Sequence, residues 1–321
     1  MMMLNNIINT IKNARSIAIL PHISIDGDAL GSSLALGMAL KRLNKSVSIC
    51  LEEEIPYIYN FLPGKELISS YITEQGNAYD VIVALDTGDI GRLGKRAELL
   101  QLAGKTINID HHNTNSEYAF LNFVQTSSSA VGEIIYQVVR MMGLNLDRDI
   151  STCLYVAIAT DTGGFRFSNT TALTHQITAD LINNGVNVSE ISDLIFDSTT
   201  LPKVKLTGLA IKSLEILENG KVAYITMTND MFVSTGAKEE DCDGIVNIGR
   251  NIRGVEVAVM FRPKENGETR VNFRSKSYLD VAQIANFYKG GGHKKAAGCT
   301  THGNLDDVKK SILNDIKEAL Y

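Results

Sequence analysis

The chain is predicted to be an α/β protein: a doubly wound, mainly parallel sheet in an N-terminal domain, followed by a smaller mixed α/β domain. Three observations predict it. Short apolar runs alternate with longer amphipathic runs through the first half of the chain, on short connections. Several of these apolar runs end in turns that carry Asp or His. From about Leu214 the order changes, and strand patterns follow one another across Asn219-Gly220 and Glu265-Asn266-Gly267, both hairpin-type turns.

In chain order, Leu4, Ile7, Ile8 and Ile11 form a helical stripe. It lacks a signal-peptide h-region, so no secretion signal is expected. Ile17 to Leu20 reads as a buried parallel strand, and Ala29 to Leu43 as the helix after it. Ser46 to Leu51, Tyr79 to Leu85 and Lys105 to Ile109 read as further strands, with Ile55 to Gly64 irregular between them. Arg92 to Leu102, Ser127 to Met142 and Ile150 to Ala159 read as helices, and Asn169-Thr170 as the cap of a helix over 171–184. Val188 to Leu217 keeps a helical pattern, with Pro202 at a break. Lys221 to Met227, Val255 to Arg262 and Thr269 to Arg274 read as strands of the second domain. Val281 to Tyr288 and Leu305 to Leu320 are its helices, with Gly290 to Lys295 read as a glycine-rich loop between them. The domains are therefore expected at 1–187 and 214–321, joined by a helical connector at 188–213.

Composition excludes several classes of function. At 321 residues, 44% hydrophobic and 21% charged, the chain has the make-up of a soluble globular protein. No apolar run reaches the ~20 residues of a membrane helix. Cys50, Cys153, Cys242 and Cys299 are scattered, which fits reduced thiols in a cytoplasm and argues against a disulfide framework or zinc ribbon. Trp is absent and aromatics make up 7%, so a long base-stacking platform is not expected. The net charge of -5 is unevenly spread: residues 214–321 balance 15 basic against 15 acidic side chains, while residues 1–213 hold 16 and 21. Within the second half, Val246 to Lys295 carries ten basic and four acidic residues. An acidic half with a basic segment suits a metal site beside an anion site, although a solvated strand face has the same counts.

The chemistry-bearing residues cluster at strand ends, where open α/β sheets place their sites. His22, Asp26 and Asp28 lie in one strand-to-helix turn. Asp86 ends the next central strand, His111 and His112 another, and Asp161 ends a helical run. On its own turn Asp28 reads equally well as a helix cap. Four carboxylates with His22 and one of His111 or His112 exceed the needs of one ion and suit two divalent ions sharing a carboxylate. Oxygen-rich ligation without thiolate suits Mn²⁺, with Mg²⁺, Co²⁺ or Fe²⁺ as substitutes. Gly290-Gly291-Gly292-His293-Lys294-Lys295 is either a tight surface loop or an anion nest. Arg262 and Arg274, each at a strand end, are candidates for phosphate contact.

Together these runs resemble a known family. His22-x-x-x-Asp26-Gly-Asp28-x-x-Gly31-Ser32, Leu85-Asp-Thr-Gly-Asp89, Asp110-His-His112 and Thr160-Asp-Thr-Gly-Gly-Phe165 are similar to the four motifs of the DHH phosphoesterase superfamily. Gly290 to Gly298 resembles the signature of its DHH-associated C-terminal domain, and length and domain pairing are most similar to the nano-RNase/pAp phosphatase branch. The resemblance implies that His22, Asp26 and Asp86 hold one metal, and that Asp28, Asp86, His111 and Asp161 hold the second, with Asp86 bridging. It implies that His112 contacts the scissile phosphate and that Asp110 orients an imidazole. Arg262, Arg274 and His293, with Gly291 and Gly292 in the same run, would bind substrate. The expected activity is hydrolysis of short oligoribonucleotides, pApA-type dinucleotides and pAp by a two-metal-activated water. Expected partners are short single-stranded RNA or nucleotides, without a membrane, and a homodimer is compatible with the chain. Three alternatives stay open: a family II-like pyrophosphatase or polyphosphatase, a RecJ-like exonuclease, and a non-catalytic nucleotide- or RNA-binding protein.

Overall fold

The computed structural model describes residues 2–70, 79–264 and 267–320. They fall into two units that divide between Ser198 and Thr199. The division lies inside the segment 188–213 expected as a connector. Helix α6 (Val188–Ser192) belongs to the first unit and helix α7 (Leu201–Lys212) to the second. Pro202 sits in the first turn of α7, where a missing N–H costs nothing.

The N-terminal unit runs α1 (Met2–Asn13), β1 (Ser16–Pro21), α2 (Gly27–Arg42), β2 (Ser46–Leu51), β3 (Ile68–Ser70), β4 (Val81–Leu85), β5 (Lys105–Asp110), β6 (Leu121–Val124), α3 (Val131–Met141), α4 (Arg148–Asp161), α5 (Ala172–Asn183) and α6. Its six strands lie in the order β3-β2-β1-β4-β5-β6, and every pair is parallel. Strand order reverses between β1 and β4, which opens a crevice at their carboxyl ends. Alternation along the strands divides the core. Ile17, Ile19, Val81, Val83 and Leu85 pack with the helices, while Ala18, Leu20, Ile82 and Ala84 pack with Leu93 and Leu99.

Several sequence expectations change. Arg92 to Leu102, expected to be helical, lies in a 3₁₀ segment (Ile90–Leu102) interrupted by Gly94 at φ +61°. Helix α3 begins at Val131 rather than Ser127, because the Ser128 and Ser129 carbonyls are taken by side chains outside the helix. Thr171, not Asn169 or Thr170, caps α5 in a capping box with Thr174. The short edge strands β3 and β6 were not expected.

The C-terminal unit runs α7, β7 (Glu215–Leu217), β8 (Val222–Thr226), α8 (Asn229–Thr235), α9 (Val246–Asn251), β9 (Val257–Pro263), β10 (Glu268–Ser275), α10 (Val281–Phe287), β11 (Gly291–His293), β12 (Ala296–His302) and α11 (Leu305–Leu320). Its sheet order is β11-β12-β10-β9-β8-β7, antiparallel except for β8 with β9. Val257, Val259, Phe261, Val271 and Phe273 bury one face against α10 and α11 residues, and Ala258 and Met260 bury the other. Glu215 to Leu217, read as helical, is the edge strand β7, turned into β8 through Asn219 (φ +54°) and Gly220 (φ +88°). Glu265 and Asn266 of the expected second hairpin turn lie outside the described residues.

The glycine run is likewise not an open loop. Gly291 to His293 pair with β12 as an edge strand. Glycine permits the approach: a Cβ at Gly290 would lie 2.2 Å from the Gly298 carbonyl oxygen, and Gly292, at φ +141°, would lie 2.5 Å from that of Ala296.

Candidate active site

Three strand ends and two helix ends build the site. His22 follows β1 and is buried. Its Nδ1 donates to the Ile23 carbonyl at 2.8 Å, which turns Nε2 toward Asp26 Oδ2 at 3.5 Å and Asp86 Oδ2 at 3.6 Å. Asp26, not Asp28, is the N-cap of α2: its Oδ1 accepts from Ala29 N–H at 3.0 Å while its other oxygen faces His22.

Asp28 is fully buried and caps a different helix. It accepts from the Val131 N–H at 2.6 Å, the Gly132 N–H at 2.9 Å and the Ser32 hydroxyl at 2.9 Å. Helix α3 has no capping side chain of its own, and Asp28 supplies two of its orphan N–H groups with an acceptor.

Asp86 lies at the centre. It follows β4 at φ +56°, a strained conformation for a residue with a Cβ, and its N–H is held by the Ile109 carbonyl at 3.1 Å. Asp86 Oδ1 is buried without a hydrogen-bond partner. Around it stand His111 Nε2 at 3.5 Å and His112 Nδ1 at 3.6 Å. The His111 Nδ1 donates to the Ser128 carbonyl at 3.2 Å, and its Nε2 lies 3.7 Å from Asp161 Oδ2 at the end of α4. The His112 Nδ1 instead donates to Asp110 at 2.7 Å. Asp110, fully buried, also accepts from Asn115 Nδ2 at 2.6 Å, and Asn115 donates to Asn108 at 2.8 Å. The two imidazoles meet edge to face, 4.9 Å between centroids.

The charges are under strong mutual influence. Burial, with the charges of Asp86 and Asp161, holds Asp28 well above the usual carboxylate range. Asp161 is pushed up to about 7 by burial, against the pull of His111 and with Asp86 adding to the rise. Burial alone would lower the histidines, but the carboxylates outweigh it. Asp26 and Asp86 raise His22 to about 10, and Asp86, Asp28 and Asp161 raise His111 to about 9. His112 is also raised, chiefly through its hydrogen bond to Asp110, which is itself held low by His112 against the effect of burial.

The donor set fits divalent cations. His22, Asp26 and Asp86 offer ligand atoms within 4.8 Å of one another, as do Asp28, His111 and Asp161, and as do Asp86, His111 and His112. The unpartnered Asp86 oxygen is the atom such an ion would satisfy. The structure thus gathers every candidate ligand of the N-terminal unit. Sequence reading missed Asn115, Ser128 and Asn169, which act through amides and carbonyls rather than charge.

In the C-terminal unit, Arg262, Arg270 and Arg274 alternate onto one face of β9 and β10. Register carries the row from Arg274 through Ala296 to His293, which is exposed. Arg262 is largely buried, and its Nη1 lies 3.0 Å from both Glu239 Oε2 and Cys242 Sγ. Glu239 also engages Lys264 and Arg270. Arg274 is half-buried and donates to the Phe273 carbonyl at 2.9 Å. Burial and the neighbouring Arg250 lower its pKa.

A parallel sheet whose β1, β4 and β5 ends converge on shared carboxylates and a His-His pair, followed by this second unit, defines a class: the chain belongs to the DHH family. The DHH family, N-terminal domain, matches residues 16–158, and the DHHA1 domain matches residues 219–321. Among relatives, the bifunctional oligoribonuclease and PAP phosphatase NrnA of Thermus thermophilus is 33% identical over 306 residues, 95% of this chain and 90% of that protein. The protein of the same name from Bacillus subtilis is 28% identical over 320 residues, 98% of each chain. An exopolyphosphatase-related protein from Bacteroides fragilis shares the fold, with a TM-score of 0.93 at 23% identity over 99% of this chain and 96% of that one.

Proposed function

We propose that this protein is a cytoplasmic two-metal phosphoesterase that hydrolyses short oligoribonucleotides, pApA-type dinucleotides and pAp; the names of its relatives, oligoribonuclease and PAP phosphatase, support the oligoribonucleotide and pAp activities. The observation that carries the reading is Asp86: a buried carboxylate at positive φ, with one oxygen unpartnered and imidazoles on both sides. His22, Asp26 and Asp86 would hold one ion; Asp28, Asp86, His111 and Asp161 would hold the other. Two divalent ions, Mn²⁺ by this donor set, supply a bound water of lowered pKa and neutralise phosphate charge.

The remaining work falls to the chain. Asp110 fixes the tautomer and direction of His112 and favours its protonated form, so that His112 can donate to a phosphoryl oxygen. Asn115 holds Asp110 in turn. In the C-terminal unit, Arg274, His293, Gly291 and Gly292 would bind substrate phosphate, as would Arg262, which Glu239 holds. The four cysteines are free and buried, as suits a reducing compartment, and no helix among the described residues is long and apolar enough to cross a membrane.

Turnover of pAp, pApA, short RNA and pyrophosphate, with Mn²⁺ and with chelator, tests the proposal. The first three are expected to be cleaved with Mn²⁺ alone, and Asp86→Ala to lose both turnover and bound Mn²⁺. Cleavage of pyrophosphate only, or near-wild-type activity of Asp86→Ala, would overturn it.

A further inference from the structure

Asn169 lies in the segment between α4 and α5 and is released from capping duty, because Thr171 and Thr174 cap α5 between themselves. Its amide nitrogen donates to two carbonyls instead: Ser129 at 2.9 Å and Asp161 at 3.2 Å. Both partners are acceptors, so only the Nδ2 side of the amide can serve them. Its Oδ1 is buried and unpartnered, so the residue is held by these two bonds. The residue beside Ser129 is Ser128, whose carbonyl accepts from His111 Nδ1 at 3.2 Å. One amide therefore ties the last residue of α4 to the loop that backs His111. Asp161 and His111 are two members of the same ligand cluster, 3.7 Å apart, with Asp28 the third. Asp28 is fixed independently by α3.

We infer that Asn169 is a positioning residue for the Asp28–His111–Asp161 cation site: it sets the spacing of His111 and Asp161 and touches neither substrate nor ion. The inference rests on the metal reading above. Outer hydrogen bonds of this kind are commonly worth about 10–100-fold in metal affinity.

The test is Mn²⁺ binding by equilibrium dialysis and calorimetry, with thermal melting alongside, on the full chain and three variants. Asn169→Asp keeps the shape but sets a carboxylate oxygen against the two carbonyls, and Asn169→Ala removes the tie. Asn184→Ala, in the same unit, loses only a 2.7 Å bond to the Asp180 carbonyl and serves as the control for stability. Two Mn²⁺ sites are expected in the wild type. Both Asn169 variants should weaken one of them by about 10–100-fold and leave the other within about twofold. Asn184→Ala should leave both unchanged at a similar melting temperature. Wild-type binding at both sites in the Asn169 variants would overturn this inference alone, as would equal weakening of both sites in step with lost stability. A wild type that binds no Mn²⁺ would overturn the metal reading together with it.

Discussion

Substituting Gly31 by alanine should disturb the site from one helical turn away. Gly31 lies in α2, three residues beyond Asp28, where α2 crosses α4. A Cβ there would sit 2.4 Å from the Cys153 carbonyl oxygen and 3.1 Å from the Ala157 nitrogen. Ordinary contact begins near 3.4 Å, so the two helices must separate by about 1 Å. The obstacle is main chain and cannot rotate away. Overpacking of this kind costs about 1–3 kcal/mol, and a backbone collision falls at the upper end. Alanine recovers about 0.5–1 kcal/mol of helix propensity, which leaves a net loss of about 2 kcal/mol. Because α2 carries Asp26 and Asp28 and α4 ends in Asp161, the same separation should weaken Mn²⁺ binding. Gly208, exposed in α7 with nothing within 4 Å of its added Cβ, is the contrast: Gly208→Ala should stabilise by about 0.5–1 kcal/mol. Urea unfolding followed by circular dichroism gives the sizes, and hydrogen exchange by peptide assigns each change to its unit. Gly31→Ala as stable as wild type, with unchanged Mn²⁺ affinity, would refute the contact argument.

Three further outcomes are expected. His112→Ala should retain bound Mn²⁺ and lose kcat by about 10²–10⁴-fold; a fall in metal content instead would make His112 a ligand. Arg274→Ala should lower kcat/KM for pAp and pApA by the equivalent of about 1.5–3 kcal/mol and spare an aryl phosphodiester, whereas equal losses would make Arg274 a fold residue. Glu256 is buried and accepts from the N–H groups of Ser277, Tyr278 and Leu279. Burial opposes its charge, but these bonds and the Ser277 hydroxyl outweigh it and hold its pKa below the usual 4.5. A carboxylate depressed in the folded state contributes its full stability above its unfolded pKa and loses it as pH falls through the folded value. The penalty for Glu256→Gln, about 1.5–3 kcal/mol at pH 7, should therefore shrink in unfolding experiments as pH drops below about 4.5. A penalty independent of pH would sink that account.

Much of the N-terminal site was legible because its chemistry is written beside strong local signals. His22, Asp86 and His111 each follow a short apolar run, and a parallel sheet brings such run ends together. What stayed hidden is non-local or carried by main chain. Asp28 could not be separated from a cap by its own turn, since the helix it caps begins 103 residues later. Arg262 reads as a free strand-end charge until Glu239, 23 residues before it, is seen against it. The glycines of β11 have no β propensity, and pairing with β12 overrides that preference. The strands β3 and β6, three and four residues long, are too short for periodicity to register.

The grip of Asp28 on α3 also bears on how this chain can change over time. Its partners at positions 131 and 132 are backbone N–H groups, which every residue but proline provides. As far as this contact is concerned, side chains at those positions are interchangeable, and the contact leaves no motif there to read. Gly132 is tied down for an unrelated reason, a Cβ that would fall 2.7 Å from that of Ala157. One aspartate therefore bears the whole sequence signature of an interaction that joins two helices. Drift can rewrite the outer surface of α3 without loosening the acid, and the change it cannot accept is a proline at the first turn, a position where helices otherwise welcome one.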